Sequence, residues 1–414
     1  MNGTPSDSKP VLIVGAGMAG LACAVTLHRS GVPFLLFDRD EKVGGRVQTD
    51  EIDGYRLDRG FQVLLTAYPE ARKFLDYEKL ELRKCYPGSR VWYNDKFHQV
   101  SDPFRHPVDG LLSVFNPIGS FFDKVKVGML RLGLLSTRAM EDTLSTRKAL
   151  AKLGYSEAMI DRFWKPFMRG VFLENELSTS VRKFEETFSL FAKGDTVLPR
   201  LGIAEIPKQM AKQLPDDSIF LSEEVEKLEG SSVLTTHGEQ WLGRAVVLAT
   251  EEPVANRILG IDGPNRAWNA VDCLYFSLPE KELPATSPIL HLDGSGMGPI
   301  NNLTFLSTLS DCAPPGRALA SASVIGKKEM GMDQVVELAN QQLRTWFGEN
   351  VKKWDFLRSY RISHAVPSCD VVPHLETKKN GVYRCGDYFG LPSIDSAMRS
   401  GRLVAESIIA SNQE

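Results

Sequence analysis

Several features that would indicate particular functions are absent from this 414-residue chain. Its six cysteines, at 23, 85, 273, 312, 369 and 385, include no Cys-x-x-Cys pair, and its seven histidines have no metal-ligand spacing. This pattern favours reduced packing thiols and predicts no metal site. No apolar run reaches the roughly 18 residues that a transmembrane helix requires.

The charge balance gives no indication of a charged partner. The chain has 49 Lys and Arg against 52 Asp and Glu, a net charge of −3. Nucleic acid is therefore not an expected partner. Residues 1–9 are short and polar, unlike a signal peptide, so we expect a cytoplasmic protein. The length and the 43% apolar content predict a large core and two domains.

A glycine-rich turn near the N-terminus carries the strongest signal. The apolar run at 11–14 enters a Gly-x-Gly-x-x-Gly turn at Gly15, Gly17 and Gly20, and a helical pattern follows. A second apolar run then ends at Asp38. This strand–turn–helix–strand unit is typical of dinucleotide binding, with the phosphates at the helix N-terminus. The Asp38 carboxylate suits both ribose hydroxyls and would repel a 2′-phosphate, which disfavours NADP.

Two further motifs extend the pattern. Gly44 and Gly45 let the backbone lie against a ligand, and Arg46 offers a fork of donors to phosphate oxygens. Near the C-terminus, Gly386-Asp387 follows a short strand and precedes a helix that Ser393 or Asp395 can cap. Together these motifs resemble the flavin amine oxidase superfamily, which includes amine oxidases, protoporphyrinogen oxidases and phytoene-type desaturases.

The resemblance implies FAD as the cofactor. In these families the acid at the Asp387 position holds the ribityl chain, and the last helix points at the flavin C2 carbonyl, stabilising the reduced ring. Backbone at the Val225 position contacts adenine, and residues 58–62 pass over the ring. The expected FAD-binding residues are Gly15, Ala16, Gly17, Met18, Ala19, Gly20, Asp38, Arg39, Gly44, Gly45, Arg46, Gly60, Phe61, Gln62, Val225, Gly386, Asp387, Ser393 and Ile394.

No separate catalytic set stands out in the sequence. The candidates for side chains that face the flavin ring are Phe61, Gln62, Tyr388 and Phe389. Aromatic rings there would sandwich a flat substrate or serve packing alone. His364 is close to the last motif, but we interpret it as a satisfied buried histidine, so the catalytic residues are not assigned.

The expected fold class is α/β, in part α+β. Segments 1–75, 196–261 and 357–414 are predicted to assemble a Rossmann-type FAD-binding domain. Residues 76–195 and 262–356 are predicted to form a substrate domain with a mixed sheet covered by helices. The first insertion is mostly helical in pattern; the second predicts strands within 273–324 and a helix over 333–347. The glycines of 294–298 predict a hairpin turn, because no helix follows them.

The branch of the superfamily is less sharply indicated. Amine oxidases commonly carry a Lys on a substrate-domain strand, but residues 270–278 contain Asp272 and no Lys. The Trp that they carry before the last helix is also missing from 386–392. Residues 365–370 resemble the approach to the last motif in plant-type phytoene desaturases, so the phytoene desaturase-like branch is closest in outline.

Three functions follow from the resemblance. The first is a desaturase-like oxidoreductase that moves a hydride between a C–H bond of an apolar, polyene-like or cyclic molecule and flavin N5. The second is an amine oxidase or another oxygen-using oxidase. The third is a flavin-binding protein without turnover. Substrate, redox direction, electron acceptor and oligomeric state are left open.

One segment raises the question of a membrane. Residues 111–122 are largely apolar, and Lys124, Lys126 and Arg131 follow them. Phytoene-type desaturases dock on membranes, and an apolar patch beside basic residues suits peripheral contact. The favoured interpretation is that these residues line the core or the substrate cavity.

Overall fold

The computed structural model describes residues 9–113, 115–261, 266–284, 286–326, 329–372, 377–379 and 381–411. Most of the polar N-terminal tail, residues 1–8, and Val114 of the apolar segment lie outside the described residues.

A six-stranded sheet carries the N-terminal glycine turn. The apolar run predicted at 11–14 forms its strand Val11–Val14, which is fully buried because both sheet faces are covered. Parallel neighbours flank it, Phe34–Phe37 on one side and Ala245–Leu248 on the other. The strand order is Ile219–Phe220, Phe34–Phe37, Val11–Val14, Ala245–Leu248, Val382–Arg384 and Lys378–Lys379.

Two long helices from opposite ends of the sequence pack together beside this sheet. Met18–Arg29 starts directly after the glycine turn, and Ile394–Ala410 contacts it along its length. Gly401 permits the close approach, since a Cβ there would lie 2.0 Å from the Ala19 carbonyl oxygen. The C-terminal segment is thereby fixed against the first motif.

A seven-stranded mixed sheet forms the second layer. Leu290–Asp293 runs parallel to Gly88–Tyr93, and the other neighbours are antiparallel. The hairpin predicted at 294–298 is confirmed, because Leu290–Asp293 and Ile300–Phe305 pair on either side of it. The strand order is Asp355–Pro367, Trp268–Pro279, Arg317–Ile325, Ile300–Phe305, Leu290–Asp293, Gly88–Tyr93 and Lys96–Ser101.

The predicted mixed α/β class is confirmed, with one addition in the first insertion. That insertion is helical after residue 106, but strands precede its helices: Arg83–Lys84 and the hairpin of Gly88–Tyr93 and Lys96–Ser101. Asn94 and Asp95 both have positive φ, 50° and 58°, as a two-residue hairpin turn requires. Strand Asp355–Pro367 crosses the predicted boundary at 356/357, and the division into two domains stays a prediction.

The remaining elements surround these sheets. Smaller sheets contain Thr49–Ile52 with Tyr55–Asp58, Val225–Glu229 with Ser232–Thr235 and Gln240–Leu242, and Leu64–Leu65 with Thr196–Leu198 and Arg83–Lys84. The further α-helices are Ala71–Phe74, Pro107–Ser113, Phe121–Arg131, Thr146–Lys152, Glu157–Met159, Lys165–Phe172, Val181–Lys193, Glu205–Ala211, Glu252–Ile258 and Met332–Phe347. A π-helical turn spans Ile160–Trp164, and 3₁₀ turns span Asp216–Ser218, Glu280–Glu282, Leu306–Thr308, Gly348–Lys353 and Asp387–Phe389.

Candidate functional site

The glycine turn leaves room for a phosphate at the start of the first helix. Gly15 has φ of 106°, and a Cβ on Gly20 would lie 1.8 Å from the Gly15 carbonyl oxygen, so both positions exclude side chains. A Cβ on Gly17 would meet nothing within 4 Å. No side chain caps the helix at Gly17, which leaves the N–H groups of its first turn for an anion.

Asp38 lies at the end of the next strand, as predicted for the ribose acid. Its Oδ2 accepts from the Ala16 N–H at 2.6 Å and its Oδ1 from the Asp40 N–H at 2.9 Å. Burial raises the pKa of this carboxyl, and the two N–H donors oppose that effect. The Asp38 carbonyl accepts from the Glu223 N–H at 2.8 Å, which brings the buried Val225 backbone to the same end of the site.

Arg46 and Asp387 form an ion pair across 341 positions of sequence. Arg46 Nη2 donates to Asp387 Oδ1 at 2.7 Å, and Nη1 donates to the Ala365 carbonyl at 2.8 Å. Glu251 Oε1 is 3.9 Å from Arg46 Nε, and the Trp268 ring centroid is 5.2 Å from Cζ. Burial alone would lower the pKa of Arg46, but the carboxylates of Asp387 and Glu251 outweigh it and raise that pKa. The first and last motifs therefore meet through this pair.

The N-terminus of the last helix also reaches the site. Ser393 caps it by accepting the Ser396 N–H at 3.0 Å. Asp395, the other candidate cap, instead accepts the N–H groups of Glu70 and Ala71 at 2.8 and 3.0 Å. The serine is thus the cap, and the aspartate fixes this helix to residues 70–71.

A single cavity of about 1060 Å³ connects these groups. Most of the predicted cofactor residues line it: Gly15, Gly17, Met18, Ala19, Asp38, Arg39, Gly44, Gly45, Arg46, Gly60, Phe61, Gln62, Val225, Gly386, Asp387, Ser393 and Ile394. The residues present fit a dinucleotide that reaches from Asp38 to the start of the last helix. Their roles toward FAD stay predictions.

Four predicted residues do not line the cavity. Ala16 and Gly20 lie inside the glycine turn, where they shape the backbone. Tyr388 is 1% exposed and its ring packs against Phe389 with centroids 4.6 Å apart, while its carbonyl accepts from Arg266. The structure therefore does not place these two rings on the cavity wall. Phe61 and Gln62 do line it, and Gln62 Nε2 donates to the Arg46 carbonyl at 2.8 Å.

Beyond Phe61 the cavity enters an aromatic chamber that the sequence analysis missed. Phe163, Trp164 and Phe167 line one side, and Phe188 and Phe191 of Val181–Lys193 line the next. The rings of Phe163 and Phe167 stack with centroids 5.7 Å apart. Their i, i+4 spacing was a readable signal, but it is equally typical of an ordinary core.

The apolar segment at 111–122 is largely on the surface, which corrects the favoured core or cavity interpretation. Leu111 and Phe121 do line the cavity, yet they are 64% and 57% exposed. Phe115 and Phe122 are 83% and 72% exposed. We call this set, Leu111, Leu112, Phe115, Phe121, Phe122 and Val125, the apolar surface. Its helices, Pro107–Ser113 and Phe121–Arg131, hold cavity-lining residues as well.

The sequence analysis interpreted His364 as a buried histidine with a hydrogen-bond partner. His364 has such a partner, but it is not buried. Its side chain is 46% exposed, and its Nδ1 lies 3.0 Å from Glu251 Oε2. Glu251, which no sequence motif marked, thus contacts both His364 and Arg46. Asp272, on the strand where an amine oxidase carries Lys, pairs with Arg361 at 2.8 Å.

The described residues form neither a metal centre nor a membrane-spanning helix. No group of three His, Cys, Asp or Glu side chains in this part of the chain is arranged to hold a metal ion. No described helix is both long and apolar enough to cross a membrane.

Solved structures resemble this fold over nearly its whole length. An oxidoreductase from Methanosarcina mazei covers 96% of the chain with a TM-score of 0.77 and 18% identity, and 100% of that protein is covered. A putrescine oxidase variant covers 97% of the chain, and 99% of its own length is covered, with a TM-score of 0.74 and 18% identity. At this identity the likeness shows the fold alone.

Sequence relatives carry more specific names. The phytoene dehydrogenase of Streptomyces griseus is 27% identical over 284 residues, 60% of this chain and 56% of that protein. The lycopene-forming phytoene desaturase of Pantoea ananas is 33% identical over 162 residues, 35% of this chain and 32% of that protein. The chain therefore spans about half, or less, of the length of these relatives.

A family profile matches far more of the chain. The profile described as flavin containing amine oxidoreductase covers residues 18–409, from the glycine turn to the end of the last helix. It includes Asp38, Arg46 and Asp387. This chain belongs to that family of flavin-containing oxidoreductases, and its cofactor is FAD.

Proposed function

We propose that the protein moves a hydride between a C–H bond of an apolar small molecule and N5 of FAD, as a desaturase or dehydrogenase does. One observation carries the proposal. A continuous cavity runs from the ribose acid Asp38, past Arg46 and Phe61, into the aromatic chamber. An elongated dinucleotide and a bulky apolar molecule therefore share one enclosure.

The cofactor half is assigned residue by residue. The N–H groups after Gly17 would hold the pyrophosphate, and Asp38 the adenosine ribose. Asp387 would hold the ribityl chain, with Arg46 fixing its carboxylate, and the capped end of Ile394–Ala410 would face the ring. When bound, FAD supplies the group that accepts or returns the hydride.

The substrate half is suited to an uncharged, apolar molecule. The aromatic side chains of the chamber exclude water and offer a large apolar surface. Away from the Asp38 end, the cavity-lining carboxylates have cationic partners: Arg131 is 2.9 Å from Asp102, and Arg46 is 2.7 Å from Asp387 and 3.9 Å from Glu251. An amine would meet no free anion at these positions, which supports the desaturase-like reaction over amine oxidation. The phytoene dehydrogenase and desaturase relatives support the same choice.

The decisive experiment is an anaerobic reduction assay on purified protein carrying FAD. We expect apolar polyene or cyclic compounds to bleach the flavin and primary amines to leave it unchanged. Bleaching by amines with prompt hydrogen peroxide in air would overturn the proposal for an amine oxidase. Bound FAD that no compound of either class reduces would favour a flavin protein without turnover. A colourless protein that FAD cannot reconstitute would contradict the cofactor assignment.

We also propose that the apolar surface contacts a lipid bilayer. The six side chains of the apolar surface are each 44% exposed or more. Large exposed apolar patches are rare on soluble monomers and mark interaction sites. The same helices line the cavity, so an apolar substrate would pass from lipid to chamber without crossing water.

Vesicle flotation tests the membrane contact. Phe115→Asp with Phe122→Asp should abolish co-flotation with phosphatidylcholine vesicles, because each charge must be drawn into the acyl region. Met297→Asp is the matched control, since Met297 is 89% exposed in the hairpin between Leu290–Asp293 and Ile300–Phe305, outside the apolar surface. Equal flotation of the double variant and the wild type would contradict the proposed contact.

A further inference from the structure

A glutamate in the wall of the cofactor cavity is held by a histidine that is not part of that wall. Glu251 lines the cavity and His364 does not. His364 Nδ1 lies 3.0 Å from Glu251 Oε2. An ionised carboxylate can only accept hydrogen bonds, so the Nδ1–H of the histidine donates to it. The half-exposed histidine therefore acts on the cavity through the glutamate.

Arg46 is the cation that Glu251 faces in the cavity. Arg46 Nη2 donates to Asp387 and Nη1 donates to the Ala365 carbonyl. Nε makes no hydrogen bond within the described part of the chain, and Glu251 Oε1 is 3.9 Å from it, beyond hydrogen-bonding distance. The Arg46 side chain lines the cavity and keeps 31% of its surface exposed. One donor and the positive charge of the guanidinium therefore remain for an anionic ligand.

The backbone that leads into Arg46 lies against the proposed phosphate position. Gly44 and Gly17 are bridge partners, and the Gly44 N–H donates to the Ala16 carbonyl at 2.8 Å. Gly45 is packed as closely, since a Cβ on it would lie 3.4 Å from Gly17 Cα. The positive charge of Arg46 therefore acts on an anion bound at the N–H groups after Gly17.

Trp268 fixes the position of the cation and of the histidine. Its ring centroid is 5.2 Å from Arg46 Cζ and 5.3 Å from the centroid of the His364 ring. A guanidinium is attracted to an aromatic ring at this distance. The indole is buried in the strand Trp268–Pro279, which pairs with the strand that carries His364. A change in the distance between the two charges therefore requires movement of Glu251.

Loss of the histidine donor would release Glu251 toward Arg46. A shift of about 1 Å would bring Oε1 within the range of a charge-assisted hydrogen bond to Nε. Arg46 would then be shared between the carboxylates of Glu251 and Asp387. Its remaining donor would be occupied, and a second close anion would weaken its attraction for the pyrophosphate of FAD.

We infer that His364 is a positioning residue for FAD: its hydrogen bond holds the Glu251 carboxylate off Arg46 and keeps the charge of Arg46 available to the anionic cofactor. The inference rests on the proposed assignment of Arg46 to the cofactor site. It depends neither on the substrate nor on the direction of hydride transfer.

The Kd for FAD tests the inference. Dilution of the FAD-loaded protein measures this Kd, because the fluorescence of FAD changes when it is released. His364→Leu removes the donor and should raise the Kd about tenfold, as expected for one hydrogen bond to a charged group. His364→Asn is the conservative control, since its amide Nδ2–H replaces the Nδ1–H and should retain the wild-type Kd. An unchanged Kd in His364→Leu, or an equal loss in His364→Asn, would overturn the inference.

Glu251→Gln separates positioning from a merely structural role. A neutral amide is not drawn to Arg46, so this variant should bind FAD at least as tightly as wild type. His364→Leu should cause no further loss in the Glu251→Gln background. Weaker binding by Glu251→Gln alone, or the full tenfold loss in the double variant, would overturn the inference.

Arg46→Met distinguishes a failure of the cofactor assignment from a failure of the inference. We expect this variant to bind FAD more weakly than wild type, because it lacks the cation. An unchanged Kd in Arg46→Met would contradict the assignment of Arg46 and the inference with it. A weaker Kd in Arg46→Met beside an unchanged Kd in His364→Leu would leave the assignment intact and overturn the inference alone.

Discussion

At the scale of single residues, the pair of Arg46 and Asp387 joins the first and last motifs of the predicted cofactor site. Asp387 is nearly buried, with a side chain 9% exposed, while Arg46 retains 31%. Removing the carboxylate leaves the guanidinium with a backbone carbonyl and a carboxylate 3.9 Å away. A partly buried pair of this kind depends on both members.

We expect Asp387→Ala to lower FAD occupancy and to destabilise the protein by about 1–3 kcal/mol, because a partly buried cation loses its partner. Visible absorbance and denaturant unfolding measure the two effects. The control is Asp355→Ala, which breaks the exposed pair with Arg317 and should cost under about 1 kcal/mol. Unchanged FAD occupancy in the Asp387 variant would remove its assigned role.

Asp58 makes the free energy of unfolding depend on pH. Burial raises the pKa of its carboxyl to about 6, although Thr49 Oγ1 donates to it at 2.6 Å and the Ile203 N–H at 3.1 Å. The unfolded chain has the ordinary value of about 3.9. Between about pH 3.9 and pH 6 Asp58 is more protonated in the folded state than in the unfolded chain. The free energy of unfolding therefore falls as pH rises through this range, and it stops falling above the folded pKa.

Asp58→Asn removes that titration. The stability of the variant relative to wild type should increase from pH 4 to pH 7 by up to about 3 kcal/mol, then stay constant. Urea unfolding of both proteins at each pH gives this difference in free energy of unfolding. The contributions of the other titrating groups are the same in both proteins and cancel in the difference. A difference that does not change with pH would contradict the raised pKa.

At the scale of elements, the contact between Met18–Arg29 and Ile394–Ala410 depends on Gly401. Gly401→Ala should destabilise the protein by about 1–3 kcal/mol, because the new methyl would overlap the Ala19 carbonyl. Gly128→Ala is the control in Phe121–Arg131, where a Cβ meets nothing within 4 Å. It should stabilise by about 0.5–1 kcal/mol. Thermal unfolding compares them, and equal effects would show that the helices separate freely.

Local elements were predictable from the sequence and distant contacts were not. The turn from Gly15 to Gly20 and the acid Asp38 lie within one supersecondary unit, whose spacing fixes their geometry. The orientation of Tyr388 depends on Phe389 and on Arg266, more than a hundred positions away, so its burial left no local signal. The hairpin at 88–101 did have a sequence signal, because Asn94-Asp95 suits a two-residue turn. The helical pattern of the residues that follow led to a helical prediction for the whole insertion.

At the scale of the whole molecule, the predicted cofactor residues come from three distant stretches of chain. The lining residues at 15–62, 225 and 386–394 meet at one cavity. FAD that binds the folded state alone should therefore stabilise the entire assembly, by about 2.7 kcal/mol at 100 times its Kd. Unfolding temperature against FAD concentration measures this, and hydrogen exchange should slow in all three stretches. Protection confined to residues near 15–46 would contradict a shared site.

The 341 positions between Arg46 and Asp387 also mean that the ribosome makes these two residues at different times. At about 5–20 residues per second, roughly 17 to 70 seconds separate the synthesis of the two residues. A nascent chain has made its glycine turn long before the carboxylate that completes the site. Flavin that needs both residues can therefore be held fully only after Asp387 has been synthesised, and until then the sheet lacks the strand Val382–Arg384.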